Sequence, residues 1–161
     1  MIIRQATTQD AADIATVWNA EIRDGVSTFN SVEKTLTEVE EMIAQRGAAT
    51  QVAHEGETFL GFVTYGPFRG GVGYRHSVEH TIYLTPAAKG RGVGRELMAR
   101  IYEVARGEGH HIMVAGIAGE NTAGVGFHTA LGFTETGRMP PLARKVDRWR
   151  TLVLSTRVLC L

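Results

Sequence analysis

Lys89-Gly90-Arg91-Gly92-Val93-Gly94 decides how this chain is read, because it stands between an alternating apolar run and an amphipathic helical one. Glycines at alternate places let backbone approach a ligand with no Cβ in the way. A helix that follows turns its free N–H groups and positive dipole end toward the same loop. Lys89, Arg91 and Arg95 add positive charge, so the stretch reads as a cradle for a pyrophosphate. It is not a Walker loop, which needs Gly-x-x-x-x-Gly-Lys-Ser/Thr. Nor is it the dinucleotide fingerprint Gly-x-Gly-x-x-Gly opening a parallel unit. A plain strand-to-helix turn is the bland alternative, so the flanking chain has to decide.

Outward from the motif, Ser77 to Leu84 reads as a strand closed by Pro86, and Val93 to Gly107 as a helix burying Leu97, Met98, Ile101 and Val104. His111 to Ala118 is near-continuously apolar, as in a strand covered on both faces. Toward the N-terminus, Ile2 to Ala6 reads as a strand. Thr7 with Asp10 and Thr35 with Glu38 have capping-box spacing ahead of two helices. The first buries Ala11, Ile14, Val17, Trp18 and Ile22; the second buries Leu36, Val39, Met42 and Ile43 and stops at Gly47. Gln51 to Glu55 and Thr58 to Tyr65 read as a hairpin turning at Gly56, followed by a glycine-rich loop from Gly66 to Gly73. Asn121 caps a short helix through Leu131, and two last strands run from about Phe133 to Met139 and from Arg148 to Leu159. The order β-α-α-β-β-β-α-β-α-β-β, without repeat or linker, implies one domain over residues 1–161, an α/β (α+β) fold with a mixed sheet and helices on its faces.

Bulk properties narrow the partners. The chain has 161 residues, with 17 basic and 17 acidic side chains and a formal net charge of zero. No global field favours nucleic acid or an anionic membrane. The lone Cys160 excludes an internal disulfide and agrees with a reducing cytosol, and no stretch approaches the length of a membrane span. A cytoplasmic protein is expected. The histidines lack ligand spacing, so no metal is expected.

The glycine stretch resembles motif A of the GNAT superfamily of acyl-CoA N-acyltransferases, Gln/Arg-x-x-Gly-x-Gly/Ala, with Lys89 in the first position. Three further stretches resemble the phosphinothricin and methionine-sulfoximine acetyltransferase branch. They are Val78-Glu79-His80-Thr81-Ile82-Tyr83-Leu84, then Asn121-x-x-Gly124-x-x-x-His128-x-x-x-Gly132-Phe133, then Lys145-x-x-Arg148-Trp149. The resemblance implies a GNAT fold with a mixed, mostly antiparallel sheet of about seven strands, helices on both faces and acyl-CoA in the splay between the fourth and fifth strands. It implies acetyl-CoA as co-substrate, a homodimer, and a small amino-acid-like acceptor of the phosphinothricin, methionine sulfoximine or methionine sulfone type.

The chemistry asks for specific groups. An α-ammonium, with a pKa of about 8, must lose a proton before it attacks a thioester. Glu79 is the candidate general base, direct or through a water. His128, two helical turns after Asn121, can pass a proton to the departing thiolate or help take one from the amine. His80 alternates to the opposite face of its strand and reads as structural. The resemblance assigns backbone at Ile82, Tyr83 and Leu84 to the thioester and pantetheine, the Lys89, Gly90, Arg91, Gly92, Val93 and Gly94 backbone to the pyrophosphate, and Asn121 to a pantetheine or phosphate contact. On the acceptor side it points to Phe29 as a pocket wall and to Gly73, Tyr74 and Arg75, with Arg75 gripping a carboxylate. Lys145 and Trp149 would complete the pocket, from the same chain or across a dimer interface. Val146-Asp147 and Arg150-Thr151 depart from the branch pattern on that side. The competing readings are acetylation of protein N-termini or other amines, and a non-catalytic acyl-CoA-binding module.

Overall fold

The computed structural model describes residues 1–160. A seven-stranded sheet has the order β1-β2-β3-β4-β5-β9-β6, formed by β1 (Ile2–Gln5), β2 (Thr50–Glu55), β3 (Thr58–Pro67), β4 (Ser77–Leu84), β5 (Ile112–Ala118), β6 (Thr134–Arg138) and β9 (Leu152–Val158). Every adjacent pair is antiparallel except β4 and β5. A separate hairpin pairs β7 (Ala143–Lys145) with β8 (Arg148–Arg150). The fold is the expected one, with its C-terminal part changed: β7 is a strand not expected from the sequence, and the last strand is two, broken at Thr151.

α1 (Ala11–Asp24) and α2 (Leu36–Arg46) cover one face of the sheet. Their apolar stripes meet Val52, Phe62 and Tyr83, and Trp18 stacks against Phe62 at 5.4 Å between ring centres. Leu36, expected inside, is half exposed in the first turn of α2, while Val39 and Ile43 are buried. The other face carries α3 (Val93–Gly107) and α4 (Thr122–Ala130) over Leu97, Met98, Ile101, Met113 and Phe133. Burial of that kind contributes about 1.5–3 kcal/mol for each large aliphatic side chain. Both predicted capping boxes form, and at Thr35 the hydroxyl accepts from Glu38 N at 3.1 Å while Glu38 Oε2 accepts from Thr35 N at 2.8 Å. No described helix is long and apolar enough to cross a membrane.

What positions the site is the divergence of the two parallel strands. β4 and β5 pair only at Ser77 with Ile112, Val78 with Met113 and Glu79 with Val114. Beyond that point β4 stays on β3 as far as Leu84, and β5 stays on β9 as far as Ala118. The backbone groups of both strands that face each other there have no ladder partner, and a wedge opens.

Candidate active site

The wedge is the floor of a cavity of about 860 Å³, walled by the second half of β4, by Ala115 to Ala118, by the glycine loop, by α4 and by Ser27, Thr28 and Phe29 of the loop after α1. The glycine loop is built as its sequence requires. Gly90 and Gly92 have φ of 76° and 80°, the left-handed region where other residues are strained. Gly92 is the N-cap of α3, so the helix opens directly on the cavity wall, with Lys89 and Arg95 beside it. A Cβ on Gly90 or Gly92 would meet nothing within 4 Å, so the backbone there is bare toward the cavity. Free N–H groups, a dipole end and two cations suit a pyrophosphate.

Strand alternation sends the side chains of β4 to opposite faces. Glu79 lies on the α1/α2 face at the last paired position, where the wedge begins. Its carboxyl leans onto β5: a Cβ on Gly116 would stand 2.8 Å from Glu79 Oε2. Partial burial holds its pKa above the usual carboxylate range. Tyr83 is partly buried against Trp18 and Phe62, with its phenol pKa pushed up to about 12 by burial first and Glu21 second.

His80 is on the other face and meets His128, their Nε2 atoms 2.9 Å apart. Its Nδ1 lies 3.2 Å from the Val114 carbonyl, at the end of the β4/β5 ladder. His128 Nδ1 lies 2.7 Å from the carbonyl of Gly124, one turn back on α4. Burial first, and then the neighbouring ring, push the His80 pKa down to about 3. Burial also lowers that of His128, against a pull upward from the Gly124 carbonyl. Asn121 caps α4 by accepting from Gly124 N at 2.9 Å, and its amide donates to Ser27 Oγ at 3.3 Å, tying the helix to the loop across the cavity mouth.

The structure therefore gathers Glu79, His128, Ile82, Tyr83, Leu84, Lys89, Gly90, Gly92, Val93, Gly94, Asn121 and Phe29 around one cavity. It does not bring Arg91 there, because the guanidinium turns outward to Glu55 at 2.8 Å. Gly73, Tyr74 and Arg75 also lie off the cavity wall, and Arg75 Nε donates to His76 Nε2 at 3.0 Å. Lys145 is buried but borders a smaller cavity of about 250 Å³, where Nζ donates to Thr28 O at 2.8 Å and Gly25 O at 3.2 Å. Trp149 is exposed on the β7/β8 hairpin. Two partners escape a reading by sequence. Gly116 carries a signal, since a lone glycine inside an apolar strand marks a close approach. The contact of His80 with His128, 48 residues apart, carries none. Among the described residues no group of three or more His, Cys, Asp or Glu could hold a metal ion.

A splayed parallel strand pair, a bare glycine loop at a helix N-terminus, and a carboxylate and an imidazole at the wedge define an acyl-CoA-dependent acyltransferase. Residues 3–151 match the acetyltransferase (GNAT) domain, and the chain belongs to that family. It is 34% identical over 158 residues to the L-methionine sulfoximine/L-methionine sulfone acetyltransferase of Salmonella typhimurium, covering 94% of this chain and 91% of that protein. It is 35% identical to the L-amino acid N-acyltransferase MnaT of Escherichia coli, covering 94% and 90%. The structure of yncA from Salmonella typhimurium with its cofactor acetyl-CoA superposes with a TM-score of 0.95 at 33% identity, over 100% of this chain and 95% of that one. The protein is an acetyltransferase that uses acetyl-CoA.

Proposed function

We propose that this enzyme acetylates the α-amine of a small amino-acid-like acceptor by direct attack, with Glu79 as general base. The observation that carries the reading is the placement of Glu79. Its carboxylate stands where β4 and β5 part, held against a glycine, with a pKa raised by desolvation toward the range in which a base accepts a proton from an ammonium. Acetyl-CoA supplies the thioester carbonyl, and the Lys89 to Gly94 backbone with Lys89 and Arg95 would hold its pyrophosphate. Backbone N–H groups of β4 beyond His80, freed from the β5 ladder, suit a developing oxyanion, a kind of donor worth roughly 3 to 4 kcal/mol.

His128 is assigned to the proton that the departing sulfur takes. The names of the relatives, which act on L-methionine sulfoximine, L-methionine sulfone and L-amino acids, support the acceptor class. Phe29 walls the acceptor side. Cys160 lies off the cavity, donating to His110 O at 3.3 Å, which favours direct transfer over an acyl-cysteine. Trp149 on its exposed hairpin is assigned to contact with a second copy in a homodimer.

The test is acetyl-CoA-dependent thiol release against a panel of amino acids, methionine sulfoximine, methionine sulfone and phosphinothricin, repeated with Glu79→Gln. Turnover with members of the panel, falling about 10²- to 10⁴-fold in the variant, is the expected result. An enzyme that acetylates peptide N-termini and leaves the panel untouched would overturn it.

A further inference from the structure

The two histidines at the back of the cavity pose a proton-counting problem. The chain of contacts runs Val114 O, His80 Nδ1, His80 Nε2, His128 Nε2, His128 Nδ1, Gly124 O, with steps of 3.2, 2.9 and 2.7 Å between residues. Both ends are carbonyls, which only accept. Each outer contact therefore needs a proton on a ring Nδ1, and the central contact needs one more. Two neutral imidazoles carry only two ring protons. With both on Nδ1, two bare Nε2 lone pairs face each other at 2.9 Å; with one moved to His128 Nε2, its bare Nδ1 faces Gly124 O at 2.7 Å. Only a third proton satisfies all three contacts.

We propose that His80 is a positioning residue for acetyl transfer: the Val114 carbonyl fixes it as the neutral Nδ1–H form, and its free Nε2 lone pair holds His128 as an imidazolium whose Nε2–H lies at the edge of the cavity. The proposal rests on the N-acetyltransferase reading above. Burial disfavours charge on both rings and more so on His80, so His80 is the ring that stays neutral. The three contacts hold the proton on His128 against its own burial. Phe133 packs on both rings, at 5.5 Å from His80 and 5.2 Å from His128, so neither is free to turn away.

Other ionisable groups near the pair are few. Glu79 neighbours His80 in sequence but projects from the opposite face of β4. Glu21, Lys89 and Arg95 border the same cavity. Behind Phe133 stands Tyr102, with the Arg157 guanidinium over its ring at 4.3 Å. In the transfer, Glu79 first takes the ammonium proton and releases it to water. The free amine then attacks, an N–C bond forms, a second N–H proton passes to Glu79 and the C–S bond breaks. The His128 Nε2–H proton then leaves its hydrogen bond to His80 Nε2 and goes to sulfur, so an imidazolium and a thiolate become a neutral imidazole and a thiol. The neutral pair left behind has its lone pairs opposed, which favours reloading from water.

The experiment is a pH titration of the ligand-free full chain labelled with ¹⁵N-histidine, in wild type, His80→Phe and His80→Asn. In wild type below the midpoint, three ring N–H protons are expected across the two residues, both Nδ1 atoms protonated. Asparagine can still donate to Val114 and accept from His128, so His80→Asn should keep the His128 midpoint. Phenylalanine cannot, and should lower it by about one pH unit or more. The basic limb of the kcat profile should move with it in His80→Phe and return in His80→Asn, at similar KM. An unprotonated Nδ1 on either ring at every pH above 5 in wild type would overturn the proposal, as would equal His128 midpoints in the two variants. The wild-type spectrum decides even if His80→Phe fails to fold, and needs no acceptor, so it stands apart from the identity of the substrate.

Discussion

Glu79 and Gly116 form the most sensitive pair in the site, because the carboxylate occupies space that any side chain on residue 116 would claim. In Gly116→Ala the new Cβ would fall 2.8 Å from Oε2 but 3.5 Å from Leu152 Cδ1, so the strand itself is not crowded. The flexible end of Glu79 gives way and the carboxylate leaves the position that the proposed role as base requires. A misplacement of about 1 Å can cost 10²-fold in rate. We expect kcat to fall roughly 10- to 100-fold while the unfolding free energy is unchanged or rises by up to about 1 kcal/mol, since alanine narrows the unfolded ensemble. Steady-state kinetics beside urea denaturation would check this, and a variant as active as wild type would mean that Glu79 is not held by β5. At this scale the sequence was legible where chemistry demands a residue type: the bare glycines, the acid on β4, the imidazole on α4. It was illegible where a contact depends on register between distant elements. His80 reads as a structural strand residue until α4 is laid across β4. Arg91, inside the glycine motif, reads as a phosphate ligand until its neighbour Glu55 at the end of β2 is known.

At the scale of elements, the β7/β8 hairpin braces the loop after α1 that walls the cavity. Its two-residue turn, Val146-Asp147, has φ of 50° and 56°, the geometry that matches the twist of a tight hairpin and that a β-branched valine adopts at a cost. The turn places Lys145 directly opposite Arg148. Lys145 then reaches back over more than a hundred residues to the carbonyls of Gly25 and Thr28. It clamps the segment that presents Ser27, Thr28 and Phe29 to the cavity. In Lys145→Met those carbonyls lose their donors, a loss of about 1–3 kcal/mol. The segment loosens, so KM for the acceptor should rise several-fold, with acetyl-CoA affinity, set by the glycine loop on the far wall, near its original value. Equal loss of both affinities would instead mean that the hairpin braces the whole site. Sequence periodicity found each long element, because burial repeats along it. It merged β8 with β9, because the bend at Thr151 answers to the hairpin and not to any local signal.

For the whole molecule, the same buried rings tie stability to pH. His80 binds a proton in the unfolded chain below its ordinary pKa of roughly 6.5 but resists one in the folded protein down to about 3. Between those values the unfolded state holds the extra proton, so stability must fall as pH falls, with a slope approaching about 1.4 kcal/mol per pH unit. Asp10 acts in the same direction in a more acidic window. Its buried carboxylate accepts from Arg4 at 2.8 Å, from Thr7 N at 2.8 Å and from His54 at 3.3 Å, joining β1, β2 and the start of α1. Those partners outweigh its burial and hold its pKa below the usual range, so its contribution is full above its unfolded pKa and disappears as pH drops through the folded one. Glu79 acts in the opposite direction, since its raised pKa makes the folded state take up a proton first. Against a total stability of about 5–15 kcal/mol, the His80 slope between pH 6.5 and 5 is a large effect. Urea unfolding at half-unit pH steps should show it in wild type and in Glu79→Gln. His80→Asn should make it shallower, because asparagine cannot titrate, while His128, whose own pKa burial lowers, still contributes a slope of the same sign. His80→Phe should keep a slope, since His128 then loses its own proton in the folded state. A flat wild-type curve over that interval would mean that the folded pair takes up both protons.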